Sequence, residues 1–295
     1  MSQEALIARI EAELHRDVGR GMDAVFAATQ GGLYRAASTL AGARRIGMIT
    51  GFFVPGADPP AAETDGPAGT ALLARAFVDA GLTCHVATDT ICAQACSVAL
   101  HAVGVGAVPV DSLAPKGDPG PLIAAWRGAG IDHVIAIERC GPAADGVPRN
   151  MRGRDLSDFV APLDRLFTAG PWRTIAIGDG GNEVGMGSVS SALIAKHVPL
   201  GEAVGCVVPA EHLVSAGVSH WGAYALLAAL SVLRPDGQTL RRLLDPALDH
   251  AIVAAMVADG PAVDGVTLAR SVTIDARDME AHHTVLAAII ALLDG

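Results

Sequence analysis

Apolar residues at Leu6, Ile10, Leu14, Val18 and Val25 recur near the helical repeat, so residues 3–29 read as a helix with an interruption at Gly19 and Gly21. Leu33–Leu40 reads as a second helix. From Arg45 the pattern changes. Ile46–Thr50, Cys84–Ala87, Ala107–Val110, Val134–Ile137 and Thr174–Ile177 are short apolar runs, as expected of strands buried on both faces. Helical stretches are expected between them, over Ala68–Ala80, from Thr88-Asp89-Thr90 to about Val103, Pro119–Gly128 and Leu156–Phe167. Beyond Gly187 the pattern predicts a helix over Val189–Lys196, a strand over Ala203–Val208 and a buried helix over Gly222–Leu233, apolar on nearly every face. The C-terminal stretches Leu240–Ala258 and Met279–Leu293 read as largely helical, with a turn at Asp264-Gly265-Val266-Thr267.

Strands alternating with helices at this spacing imply βαβ units. The expected fold class is α/β: a mostly parallel sheet with helices on both faces, Rossmann-like and three-layered. No linker interrupts the pattern. Residues 1–295 are therefore read as one α/β domain, with a helical segment over about 1–42 and helical additions over about 239–295.

Composition narrows the function classes. Hydrophobic residues make up 51% and charged residues 18%, which excludes a disordered chain, and a net charge of −10 gives no footprint for nucleic acid. No apolar run is long enough to span a bilayer, and Glu4, Glu11 and Glu13 argue against a transit peptide, so a cytoplasmic protein is expected. Cys84, Cys92, Cys96, Cys140 and Cys206 form an odd set without a zinc pattern and read as buried free thiols.

The stretch Thr174–Gly187 carries the densest chemistry. After its strand, Gly178, Gly180 and Gly181 crowd together, so the backbone can take positive φ and approach a ligand, while Asp179, Asn182 and Glu183 stand at the strand end. Open parallel sheets bind ligands at that edge. The other strand ends bring Thr50-Gly51, Asp89 and Glu138-Arg139 to it. Two long loops start there as well. Phe52–Pro67 ends in Glu63 and Asp65, with Asp65 also a candidate helix N-cap, and Gly141–Asp155 carries Arg149, Asn150 and Arg152. An acidic pocket with a few arginines follows.

A dinucleotide fingerprint fails because Glu183 stands where Gly or Ala is needed, and a carboxylate there repels a pyrophosphate. No P-loop, nucleophile elbow or HExxH is present. His282-His283 read as a surface pair and His220 as a packing residue. Acids held together can bind Mn²⁺ or Mg²⁺ or divide acid and base roles. Asp179, Glu183 and Asp65 are the metal candidates. Arginines clamp substrate carboxylates.

The chain resembles the D-glutamate cyclase family, in particular its C-terminal cyclase-like region. The resemblance lies in Thr50-Gly51-Phe52, Glu63-Thr64-Asp65-Gly66-Pro67, Glu138-Arg139, Asn150-Met151-Arg152-Gly153, Gly178–Gly187 and Gly217–Tyr224. His220 and Cys140 depart from the family pattern, where Asn and Pro are expected. The resemblance implies a lyase that converts D-glutamate to 5-oxo-D-proline with loss of water. Asp179, Glu183, Glu63 and Asp65 are then the expected catalytic or metal-binding groups. Arg139, Arg152, Asn150, Asn182, Glu138 and Thr50 would contact the amino-acid substrate, and a homo-oligomer is allowed. An enzyme acting on another small acidic metabolite and a non-catalytic binder of one stay open on the residues alone.

Overall fold

The computed structural model describes residues 1–295. Arg45–Thr50, Thr83–Asp89, Val110–Leu113, His133–Ile137, Arg173–Gly178 and His212–Ser215 form a six-stranded sheet, parallel throughout. Numbered along the chain, the strands lie in the order three-two-one-four-five-six. The order reverses between Arg45–Thr50 and His133–Ile137, which pair from Ile46 opposite His133 to Thr50 opposite Ile137. At such a reversal the two chain connections leave to opposite faces, and a crevice opens at the carboxyl ends of the strands.

Period-two alternation makes the sheet the middle of three layers. Met48, Ile135, Ile137, Ile175, Ile177 and Val214 enter the larger core, whereas Ile49, Val134, Ala136, Ala176 and Leu213 enter the smaller one. Helices Gln3–Leu14, Gly32–Leu40, Pro67–Asp79, Ser219–Leu233, Pro246–Ala258 and Met279–Asp294 feed the larger core. Asp23–Thr29, Gly120–Ala129, Leu163–Ala169 and Ser191–His197 feed the smaller. The buried helix expected over Gly222–Leu233 is present as Ser219–Leu233. Gly222 lets it approach the sheet, since a Cβ there would lie 2.3 Å from Ile177.

The differences from expectation have local causes. Residues 3–29 form two helices, Gln3–Leu14 and Asp23–Thr29, with an irregular segment between them. Ala107–Val110 is not the third strand; pairing begins at Val110, because Pro109 has no N–H to give the ladder. The helix expected over Leu156–Phe167 starts only at Leu163, after Pro162, and the Ala161 N–H goes to Asp89 at 2.6 Å. Gly201–Val204 is a single helical turn rather than a strand, and Cys206 and Val207 then bond to Gly181 and Pro142. The sixth strand is instead His212–Ser215, too short and too polar at its start to stand out. The loop 52–67 folds as a hairpin, Phe53–Val54 against Ala61–Glu63, joined in parallel by Ala262–Val263. His282 is fully buried and accepts the Trp221 indole N–H at 2.8 Å, so it is not a surface residue. All five cysteines are free and buried. No helix is long and apolar enough to cross a membrane.

Arg139 belongs to the fold. Its guanidinium is fully buried and pairs with both oxygens of Asp89, at 2.9 Å for the Nη2–Oδ1 bond, and donates to Gly51 O at 3.0 Å and Ala161 O at 2.7 Å. A planar fork suits this set of oxygens, and both terminal nitrogens are spent on the protein itself, while Nε is buried without a partner. It ties the ends of the first two strands to the loop before Leu163. Asp89→Ala leaves the guanidinium charged and uncompensated, so it is expected to cost about 3–5 kcal/mol. A guanidinium-chloride midpoint unchanged from the parent would refute that role.

Candidate functional site

A cavity of about 340 Å³ opens at the crevice. Glu138 and Asp179 follow the fourth and fifth strands directly, and Glu63 ends the strand Ala61–Glu63. Asp275 arrives from the C-terminal segment, and Arg20 from the interruption between the first two helices. Arg20 is central. Its guanidinium pairs with Asp179 and with Asp275, the latter at 2.7 Å, while its N–H donates to Asp17 at 2.9 Å. Glu138 and Asp275 both have positive φ, 45° and 54°. Such a backbone is strained for Glu and is held in place by its surroundings.

Hydrogen bonds link the acids. Asp179 accepts the Ser219 N–H at 2.9 Å, and the Ser219 hydroxyl donates to Glu138 at 2.6 Å. Asp65 accepts the Gly66 N–H at 2.7 Å with one oxygen; its other oxygen is buried with no partner. Gly66 itself caps the helix Pro67–Asp79, at φ 78°, where a Cβ would lie 2.7 Å from the Thr50 hydroxyl. Asp65 is therefore not the side-chain cap.

Several residues stand apart from the roles expected of them. Glu183 lines the cavity, but its carboxylate is committed: it accepts from Gly180 N and Gly181 N at 2.7 Å each and from Asp179 N at 3.3 Å. The glycine loop thus holds an anion that the protein supplies itself. Of Gly178, Gly180 and Gly181, only Gly181 has positive φ. Thr50 and Asp65 lie behind the wall rather than on it, and Arg139 faces Asp89. Arg149 pairs with Asp145 outside the cavity. Asn150, Arg152 and Asn182 do line it. Asn150 accepts the N–H groups of Arg152 and Arg154 at 3.1 and 3.0 Å, Arg152 donates to Val266 O at 3.0 Å, and Asn182 donates to Arg149 O at 2.8 Å. His220 is fully buried outside the cavity, 2.7 Å from Asp249.

Sequence reasoning missed Arg20, Ser219 and Asp275. The Gly19-Arg20-Gly21 break was the one available signal for Arg20. Asp275 had none, since its place depends on Asp264, which accepts the Ala276 N–H at 2.8 Å.

Oxygens of Asp65, Glu138 and Asp179 all lie within 4.8 Å of one another. This buried acidic triad is able to hold a metal, with Glu138 in the place expected of Glu183. The donor set is hard oxygen, and the unpartnered Asp65 oxygen leaves one ligand free, so the residues fit a divalent ion such as Mn²⁺ or Mg²⁺. Burial, then mutual repulsion, pushes Glu63 and Glu138 well above the usual carboxylate range. Burial also raises Asp179, against the pull of Arg20. Asp65 rises to about 7, through burial and then Asp275.

These raised affinities set a sign. A carboxyl that binds its proton more tightly folded than unfolded adds stability below its unfolded pKa, and loses it as pH climbs through the folded one. Metal-free protein should therefore lose stability from about pH 4 to about 7 on account of Asp65. Thermal midpoints of the parent should fall over that range more steeply than those of Asp65→Asn; parallel curves would refute the assignment.

A family model described as "D-glutamate cyclase-like, C-terminal" matches residues 10–290. The chain is also similar to the Homo sapiens protein "D-glutamate cyclase, mitochondrial", at 33% identity over 239 residues, or 72% of this chain. The match covers 37% of that relative, so the chain spans little more than a third of its length.

Proposed function

From the chain's place in the D-glutamate cyclase-like C-terminal family, to which it belongs, we propose that it is a lyase closing D-glutamate to 5-oxo-D-proline with release of water. The observation that carries this reading is the meeting of Asp179 and Glu138 in one buried cavity under different neighbours. Arg20 contacts Asp179 and favours its ionised form, whereas Glu138 has burial and like charges around it and only a hydroxyl as partner. Burial raises both carboxyls, but only Asp179 has a cation against it, and that difference in neighbours lets the pair divide the work of base and acid.

The chemistry needs both. The α-ammonium must lose a proton before its nitrogen can attack the side-chain carboxyl carbon, and Asp179 takes that proton. The carboxyl carbon is a poor electrophile until its oxygen is neutralised. Glu138 supplies one proton to that oxygen, and the second proton that the nitrogen sheds on attack passes to it through the same acids, so that it leaves as water. Arg152, at the wall and without an acidic partner, holds the α-carboxylate. The closure is intramolecular by connectivity, and confinement holds the chain in the folded conformer from which the nitrogen attacks. Glu183 acts through the backbone, holding the loop that presents Asp179.

The unpartnered oxygen of Asp65 favours a second version of the same reaction. Asp65, Glu138 and Asp179 would hold a divalent ion, and when bound that ion supplies the neutralising charge on the carboxyl oxygen.

Incubation with D-glutamate should remove primary amine and yield 5-oxoproline. Asp179→Asn is expected to lower kcat by about 10²–10⁴-fold with an unchanged circular dichroism spectrum, and near-parental turnover would sink the assignment. Treatment with EDTA separates the two versions. In the metal version activity falls and returns with Mn²⁺ or Mg²⁺; unchanged activity removes the metal and leaves the proton of Glu138.

A further inference from the structure

The cavity is larger and more varied than a five-carbon diacid requires. Its 340 Å³ falls within the about 300–1,000 Å³ of pockets that enclose drug-sized ligands. Part of its wall is apolar, formed by Phe52, Phe53, Val54, Pro55, Met151 and Val266, and Val266 is 42% exposed. Free glutamate, charged at three positions, has little to place against such a wall.

Two cations border these apolar residues. Arg152 donates to the carbonyl of Val266, and Arg154 lies over the Phe159 ring at 6.0 Å, which stacks on Phe53 at 5.3 Å. Neither arginine has an acidic partner, unlike Arg149 with Asp145. In free glutamate only one carboxylate is a spectator, because the other is the electrophile. Two spare arginines beside an apolar surface match a substrate with two spectator carboxylates and an apolar group between or beside them.

We infer that the site also takes γ-D-glutamyl amides of apolar amino acids, closing the same ring and expelling an amino acid in place of water. This rests on the cyclase reading above. The α-amine nitrogen forms a bond to the side-chain carbonyl carbon, and the amide C–N bond breaks. The α-ammonium sheds two protons to carboxylates of the cluster, one before and one after attack. Carboxyls of the cluster give two to the departing nitrogen, which leaves as an ammonium, so no water or other co-reactant is consumed. An amide carbonyl is uncharged and is a better electrophile than a carboxylate. The α-carboxylate and the departing group sit on the two carbons that flank the ring nitrogen. Both can therefore face the arginines while the nitrogen and carbonyl oxygen face the acids. Arg154 is the specificity-determining residue in this arrangement, taking the carboxylate of the leaving amino acid.

The test supplies the full chain with γ-D-glutamyl-L-leucine and, separately, with D-glutamate, following 5-oxoproline and leucine. The expected result is release of both from the dipeptide, with kcat/KM at least tenfold above that for D-glutamate. Arg154→Met should lower the dipeptide value about tenfold while D-glutamate turnover stays within twofold, and Arg154→Lys should restore part of the loss. Turnover of D-glutamate without the dipeptide overturns this inference and leaves the cyclase reading standing. Turnover of neither overturns both. Turnover of the dipeptide alone supports the inference and removes free D-glutamate as the substrate.

Discussion

Five carboxylates, Glu63, Glu138, Asp179, Glu183 and Asp275, share one cavity with a guanidinium clamped between two of them. Like charges at this density repel strongly out of water, so each must be paired, hydrogen-bonded or protonated. The molecule uses all three means. Arg20 neutralises Asp179 and Asp275, backbone N–H groups satisfy Glu183, and protons are favoured on Glu63 and Glu138. Removing one of these means shifts the others, which couples the acids as a unit.

That demand explains why distant parts of the chain meet at one sheet edge. The switch point brings Glu138 and Asp179 out on neighbouring strands. The hairpin at 53–63 and the parallel partner Ala262–Val263 carry Glu63 and the C-terminal loop over them. The segment between the first two helices then lays Arg20 across the top. Behind the site, the Arg139–Asp89 pair fixes the loops from which these groups project. The buried cation there serves geometry, whereas the one in the cavity serves charge.

The outer part of the cavity has a different character. Arg152 and Arg154 stand free beside apolar side chains, so recognition there is separable from proton transfer within. A family can keep the acidic interior and vary what the mouth accepts.

Much of this was legible in the sequence, because local rules govern it. Short apolar runs gave the buried parallel strands, the all-apolar helix gave the core, and charged residues after strands gave the edge where the cavity lies. Glu63, Glu138, Asp179, Asn150, Arg152, Asn182 and Glu183 all reach the wall. Their duties were not legible. Arg139 and Arg152 look alike in sequence, yet one finds Asp89 within the protein and the other finds none. Glu183 reads as a reactive acid until the N–H groups around it are seen. Arg20 and Asp275 lie more than 250 residues apart and come within 2.7 Å only when the fold closes. Strand and helix patterns depend on near neighbours, and the sequence by itself determined those. Which carboxyl is paired, bonded or protonated depends on what the whole chain brings within a few ångströms, and only the tertiary structure decided that.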